Sequence, residues 1–162
     1  MKEKRKMIMD LDALQIRNFQ MEDRKLVEEF FNQMGGETRA FFNRESGNEN
    51  NALGFFEGKD KDVIRFMALD KGRMVGYLFL WELDNKVPWL GIAVADDYKG
   101  LHLGRKLMNI AKEYALSQAK GGILLTTHLA NYRGQALYER SGFERMGIHT
   151  SGEILYMFRF HG

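Results

Sequence analysis

The sequence predicts an α/β chain of the α+β kind, a mixed sheet with helices, and three observations carry that expectation. Residues 62–94 hold three apolar runs broken by Asp70-Lys71-Gly72-Arg73 and Asp84-Asn85-Lys86, the pattern of an antiparallel meander. Leu103, Leu107, Ile110, Ala111, Tyr114 and Ala115 form one helical stripe. Ile123 to Thr127 then reads as a short strand, followed by a second helix over residues 131–141 that Gly142 ends. At 162 residues the chain suits one domain.

The remaining elements follow in order. Residues 1–10 are expected as a flexible basic tail and residues 11–162 as the domain. Leu14 to Phe19 alternates apolar and polar, which suits a strand buried on one face. Residues 21–34 place Leu26, Val27, Phe30, Phe31 and Met34 at helical spacing before Gly35-Gly36. Residues 37–60 mix Phe41-Phe42, Leu53 and Phe55-Phe56 with polar stretches, so one or two short helices and a mobile loop are expected there. The last stretch, 143–160, reads as a hairpin turning at Thr150-Ser151-Gly152-Glu153.

Composition narrows the function. Zero cysteines exclude a disulfide scaffold and a thiolate nucleophile and leave a zinc site short of ligands, so no metal is expected. Lys+Arg 24 against Asp+Glu 22 leaves a net charge of +2, too small an excess for a nucleic-acid binder. No apolar run approaches the ~20 residues of a membrane span, and no signal-peptide pattern opens the chain. The expectation is a cytoplasmic enzyme without nucleic-acid or membrane partners.

Residues 94–105, Val-Ala-Asp-Asp-Tyr-Lys-Gly-Leu-His-Leu-Gly-Arg, end a strand and open the long helix. A helix start presents unpaired N–H groups and about half a positive charge, so it suits an anion. Gly100 and Gly104 let an anion approach the main chain, and Lys99 and Arg105 add charge. The same features also serve ordinary turn geometry, and neither a Walker loop nor GxGxxG is present.

With residues 131–143, Asn-Tyr-Arg-Gly-Gln-Ala-Leu-Tyr-Glu-Arg-Ser-Gly-Phe, the chain resembles the GNAT family of acyl-CoA-dependent N-acetyltransferases. The phosphate-loop pattern of that family matches at Val94, Tyr98, Gly100 and Gly104, and its second signature at Asn131, Leu137, Tyr138, Arg140, Gly142 and Phe143. The resemblance covers about residues 60–160. Three positions depart from it. Lys99 stands for Arg or Gln, His102 for a glycine, and Gly134 for an alanine.

The resemblance implies a mostly antiparallel sheet of about seven strands with helices on both faces. Strands 87–94 and 123–128 would splay apart to form an acyl-CoA slot. Pantetheine would bond main-chain groups near Ile92 and Val94, with the Val94 amide polarising the thioester carbonyl. The diphosphate would rest on the amides of Lys99, Gly100, Leu101, His102, Leu103, Gly104 and Arg105. Asn131 would bond the cosubstrate acetyl-CoA, and Tyr138 would act as general acid on the leaving sulfur; its plain alternative is a core tyrosine with a satisfied hydroxyl.

Some relatives carry a glutamate where this chain has Thr126, which cannot act as a base. His128, Glu82 and Asp84 are the candidates for that role, each with an ordinary reading as a strand-end or turn residue. Arg39, Phe41, Phe42, Arg44, Glu45, His149 and Tyr156 lie in regions that choose the acceptor among relatives, and none is assigned. The expected acceptor is a small amine or a peptide N-terminus. A homodimer through the C-terminal strands occurs among relatives. The alternative function is a catalytically idle acyl-CoA sensor.

Overall fold

The computed structural model describes residues 11–43, 48–59 and 61–161. The tail expected over 1–10, the side chain of Phe42, and Arg44 and Glu45 lie outside the described residues. Seven strands build one sheet: β1 (Gln15–Asn18), β2 (Val63–Asp70), β3 (Arg73–Trp81), β4 (Trp89–Val94), β5 (Gly122–Thr127), β6 (Glu144–Ile148) and β7 (Ile154–Arg159), in the order β1-β2-β3-β4-β5-β7-β6. Neighbours pair antiparallel throughout except β4 and β5, which run parallel. The meander is therefore β2-β3-β4, as its turns predict. Its boundaries are tighter than expected, because Glu82 takes a left-handed conformation (φ 55) that ends β3 and Pro88 precedes β4.

Helix α1 (Arg24–Asn32) begins after a 3-10 turn at Met21–Asp23, so the expected helix over 21–34 is shorter than its apolar pattern. Arg17 on β1 reaches that turn with two bonds to Asp23, at 2.6 and 2.9 Å, which joins the first strand to the first helix. The difficult region 37–60 holds α2 (Gly36–Asn43), α3 (Asn48–Gly54) and a 3-10 turn at Phe55–Glu57. Two longer helices follow, α4 (Leu103–Ser117) and α5 (Tyr132–Arg140).

Helices lie on both faces, and two adjacent residues of β3 show it. A Cβ on Gly76 would meet side chains of Leu107 and Leu103 from α4, whereas Tyr77 points the other way, with its ring 6.0 Å from Phe31 of α1. On that second face Tyr77, Phe79 and Trp81 recur at period two and stack at 5.0 and 5.3 Å. Trp89 of β4 extends the stack at 6.0 Å from Trp81. Full burial of each large apolar ring contributes roughly 1.5–3 kcal/mol, so this row anchors β3 under the N-terminal helices. The row ends at the parallel junction.

Candidate active site

That junction is barely a junction. β4 and β5 share one registered pair, Trp89 with Leu124, supported by Leu124 N–H on the Pro88 carbonyl (2.9 Å) and Gly121 N–H on the Lys86 carbonyl (2.8 Å). Beyond it the strands part, and a cleft of about 920 Å³ opens. Strand alternation decides which main-chain groups face it. Ala95 N–H bonds the Val75 carbonyl on the β3 side at 2.9 Å, and the Pro88 carbonyl faces β5. Counting by twos, the N–H and C=O groups of Ile92 and Val94 face the gap. Both residues line it. An open strand edge of this kind accepts an extended, amide-bearing ligand as an added strand.

The gap leads to the start of α4. Gly100 and His102 both adopt left-handed φ values, 79 and 68, and α4 begins at Leu103. The family glycine at His102 is thus explained by backbone shape, and histidine is among the residues that tolerate this region. Its side chain is exposed and lines the cleft. The first-turn amides of α4, Leu103, Gly104 and Arg105 among them, have no partner within the helix. Gly104 also permits close helix packing, since a Cβ there would lie 3.1 Å from Leu137 of α5. The side chain of Leu103 is core, so it serves the loop through its amide alone.

Tyr98 and Lys99 hold the loop from behind. The Tyr98 hydroxyl donates to Asp70. Burial first, then that carboxylate, push its pKa up to about 12. Arg73 covers the ring and grips Asp97 with two bonds at 2.8 and 3.0 Å. Lys99 donates to the Thr38 hydroxyl and lies 3.3 Å from Asp96. Asp96 in turn accepts from Gly35 N–H (2.8 Å) and Thr38 Oγ1 (2.7 Å). Burial works against that carboxylate, yet these three donors hold it below the usual range. Lys99 therefore ties the loop before α4 to the start of α2.

Across the gap, Asn131 caps α5. Its Oδ1 accepts Gly134 N–H at 3.1 Å and its Nδ2 donates to Thr127 Oγ1 at 3.0 Å. A Cβ on Gly134 would press on the Asn131 side-chain amide as it is placed here, so an alanine at this position needs that amide to shift. Tyr138 is 7% exposed and lines the cleft, with its ring 5.8 Å from Tyr156. Burial, and after it Glu153 and Tyr156, raise its pKa, so it keeps its proton throughout the neutral range.

The base candidates separate. Glu82 lines the cleft and accepts from Asn85 Nδ2 at 2.9 Å. His128 is not among the lining residues. The chain leaves β5 at Thr127, and the imidazole lies against Phe41 at 4.9 Å while Nδ1 accepts Ala130 N–H at 3.0 Å. With that lone pair used, a neutral ring carries its proton on Nε2 and has no acceptor to offer. Asp84 does not line the cleft either. Of the acceptor-region residues, Phe41 and His149 line it, but His149 Nδ1 also accepts a backbone N–H, from Ser151 at 3.1 Å. Tyr156 instead donates to Glu139 at 2.6 Å, and Arg39 pairs with Glu49 at 3.2 Å. Sequence reading missed Arg133, Trp81, Trp89 and Glu153, all lining residues. Glu153, 4% exposed, sits in what reads as a plain turn, and no periodic signal marks it.

A parted parallel pair, an anion-ready helix start and a protonated buried phenol together suit an extended, anion-bearing ligand laid along a strand edge. A family model described as Acetyltransferase (GNAT) family matches residues 19–143, and the chain belongs to that family. A Bacillus subtilis (strain 168) relative, provisionally named a ribosomal protein bS18 alanine N-acetyltransferase, is 26% identical over 98 residues, 60% of this chain. The chain spans 65% of the length of that curated relative. Among solved structures, PaiA N-acetyltransferase from Thermoplasma acidophilum in complex with coenzyme A superposes with a TM-score of 0.74 at 16% identity, over 91% of this chain and 99% of that one. Ribosomal-protein-S5-alanine acetyltransferase from Vibrio fischeri gives 0.75 at 16%, over 93% and 95%. Spermidine N-acetyltransferase from Vibrio cholerae, with CoA and spermine, gives 0.71 at 21%, over 92% and 95%. At these identities the three structures share the fold.

Proposed function

We propose that the chain is an acetyl-CoA-dependent N-acetyltransferase acting on a primary amine by direct attack in a ternary complex. The observation that carries this is the single rung between β4 and β5, which leaves Ile92 and Val94 facing a gap that runs from the phosphate loop to Tyr138. On this reading the diphosphate rests on residues 99–105 and pantetheine lies along β4. The Val94 N–H donates to the thioester oxygen as negative charge grows there. The amine nitrogen attacks the carbonyl carbon, a C–N bond forms and the C–S bond breaks. Glu82, directly or through water, takes the amine proton, and Tyr138 gives its phenolic proton to the departing sulfur. Asn131 orients the α5 end of the slot.

The first acceptor to try is a peptide N-terminal alanine, suggested by the name of the Bacillus subtilis relative; small amines, a polyamine among them, are the second. Chemistry favours the first, because freeing an α-amine at pH 7 costs about 1 kcal/mol against roughly 4–5 for a lysine-type amine. We also propose that it works in the cytoplasm. Incubation with acetyl-CoA and an amine panel, following free thiol, tests the reading. Acceptor-dependent thiol release supports it. Thermal stabilisation by acetyl-CoA with no release across the panel would replace it with the acyl-CoA sensor, a reading that Thr126, at the position of some relatives' glutamate, favours.

A further inference from the structure

Lys99, Arg105 and Arg133 are cations at the loop that line the cleft, and the first and last of them differ in what already holds them. Lys99 stands where the family pattern carries a planar Arg or Gln, and its ammonium is taken up by Thr38 and by Asp96 at 3.3 Å. The Lys99–Asp96 pair is neutral as a unit, so it adds little attraction for an anion. Arg133 is the reverse. It lies in the first turn of α5, is exposed and lines the cleft, and its guanidinium leans onto the loop: a Cβ on Gly100 would sit 3.6 Å from Nη1. Among the described residues no carboxylate lies within ion-pair distance of it.

Resting on the reading of the cleft as an acyl-CoA site, we propose that Arg133 supplies a planar fork for the diphosphate from outside the loop, beside the loop's own Arg105, while Lys99 serves as a tie between the loop and α2. A guanidinium presents two parallel N–H groups to phosphate oxygens, which an ammonium cannot do. Gly100 fits this arrangement, because its missing Cβ leaves the surface over which Arg133 lies open to the ligand. The diphosphate is then held from two sides, by the α4 amides below and by an α5 side chain above.

Calorimetric titration of coenzyme A and of 3′-dephospho-coenzyme A into the wild type, Arg133→Gln, Arg133→Lys and Lys99→Gln tests this. Arg133→Gln is expected to weaken both ligands alike, by about 10- to 30-fold, the scale of a charge-assisted pair of hydrogen bonds. Arg133→Lys should recover only part of that loss, and Lys99→Gln should weaken binding less than Arg133→Gln while raising the KM for the acceptor through α2. An unchanged affinity in Arg133→Gln overturns the proposal. So does a loss seen with coenzyme A but not with the dephospho form, which would assign Arg133 to the 3′-phosphate. Because Arg133 is exposed, the variant should melt with the wild type. A wild type that takes up neither ligand would overturn the acyltransferase reading, and this inference with it.

Discussion

The two edges of β4 are made of the same six residues and do opposite work. Toward β3 the strand is paired from Trp89 to Val94, six registered partners without a break. Toward β5 it has one. The paired edge is backed by the stacked row of Tyr77, Phe79 and Trp81, and the open edge faces the cleft. A strand can therefore belong to the core on one side and to a ligand on the other, because successive main-chain groups alternate in direction. The difference teaches that the candidate site is an interruption of the sheet and not an addition to it.

Proline separates the two edges most sharply. Val94→Pro removes an N–H that faces the gap, so turnover is expected to fall about 10²- to 10³-fold, the scale of losing one oxyanion donor, with circular dichroism unchanged. Ala93→Pro removes an N–H that faces β3, and there the loss should appear in denaturant unfolding, at about 3 kcal/mol. Equal behaviour of the two variants would erase the distinction between the edges.

Tyr138→Phe should cut kcat by about 10²-fold with little change in the KM for acetyl-CoA, as measured by thiol release when chemistry limits the rate. The raised pKa adds a sign. A phenol lifted above its ordinary value stays protonated, so no alkaline loss of the acid is expected below pH 10. An unchanged kcat would return Tyr138 to the core role that its ring contacts also fit. The smallest effect concerns the loop. His102→Gly relieves a side chain held at φ 68 and should stabilise the fold by about 0.5–1 kcal/mol, after the extra freedom glycine gives the unfolded chain is subtracted. A shift of the urea midpoint with constant slope is the measurement.

The cleft wall that holds Gly100, Gly104, Asn131 and Tyr138 could be read from the sequence as one set of residues, and the opposite wall could not. Gly100, Gly104, Asn131 and Tyr138 sit within short motifs, and the loop and helix starts that place them are local backbone geometry that a motif records. Strand period alone supplied the meander. By contrast, Phe41 meets His128, and Lys99 meets Thr38, across long separations that no local pattern encodes. His128 shows the cost. Period two puts it on the face of Thr126, but the strand stops at Thr127 and the ring turns to Phe41. Glu153 was invisible for a related reason, since burial of a turn carboxylate is decided by what folds over it.

The lone rung at Trp89 and Leu124 has a consequence for tolerance. Elsewhere in the sheet, spreading two strands breaks a row of bonds; above this rung there is no row to break. The aperture can be made wider or narrower by exchanging the side chains that prop it, at no cost in sheet hydrogen bonds. Girth at that spot is thermodynamically cheap to change.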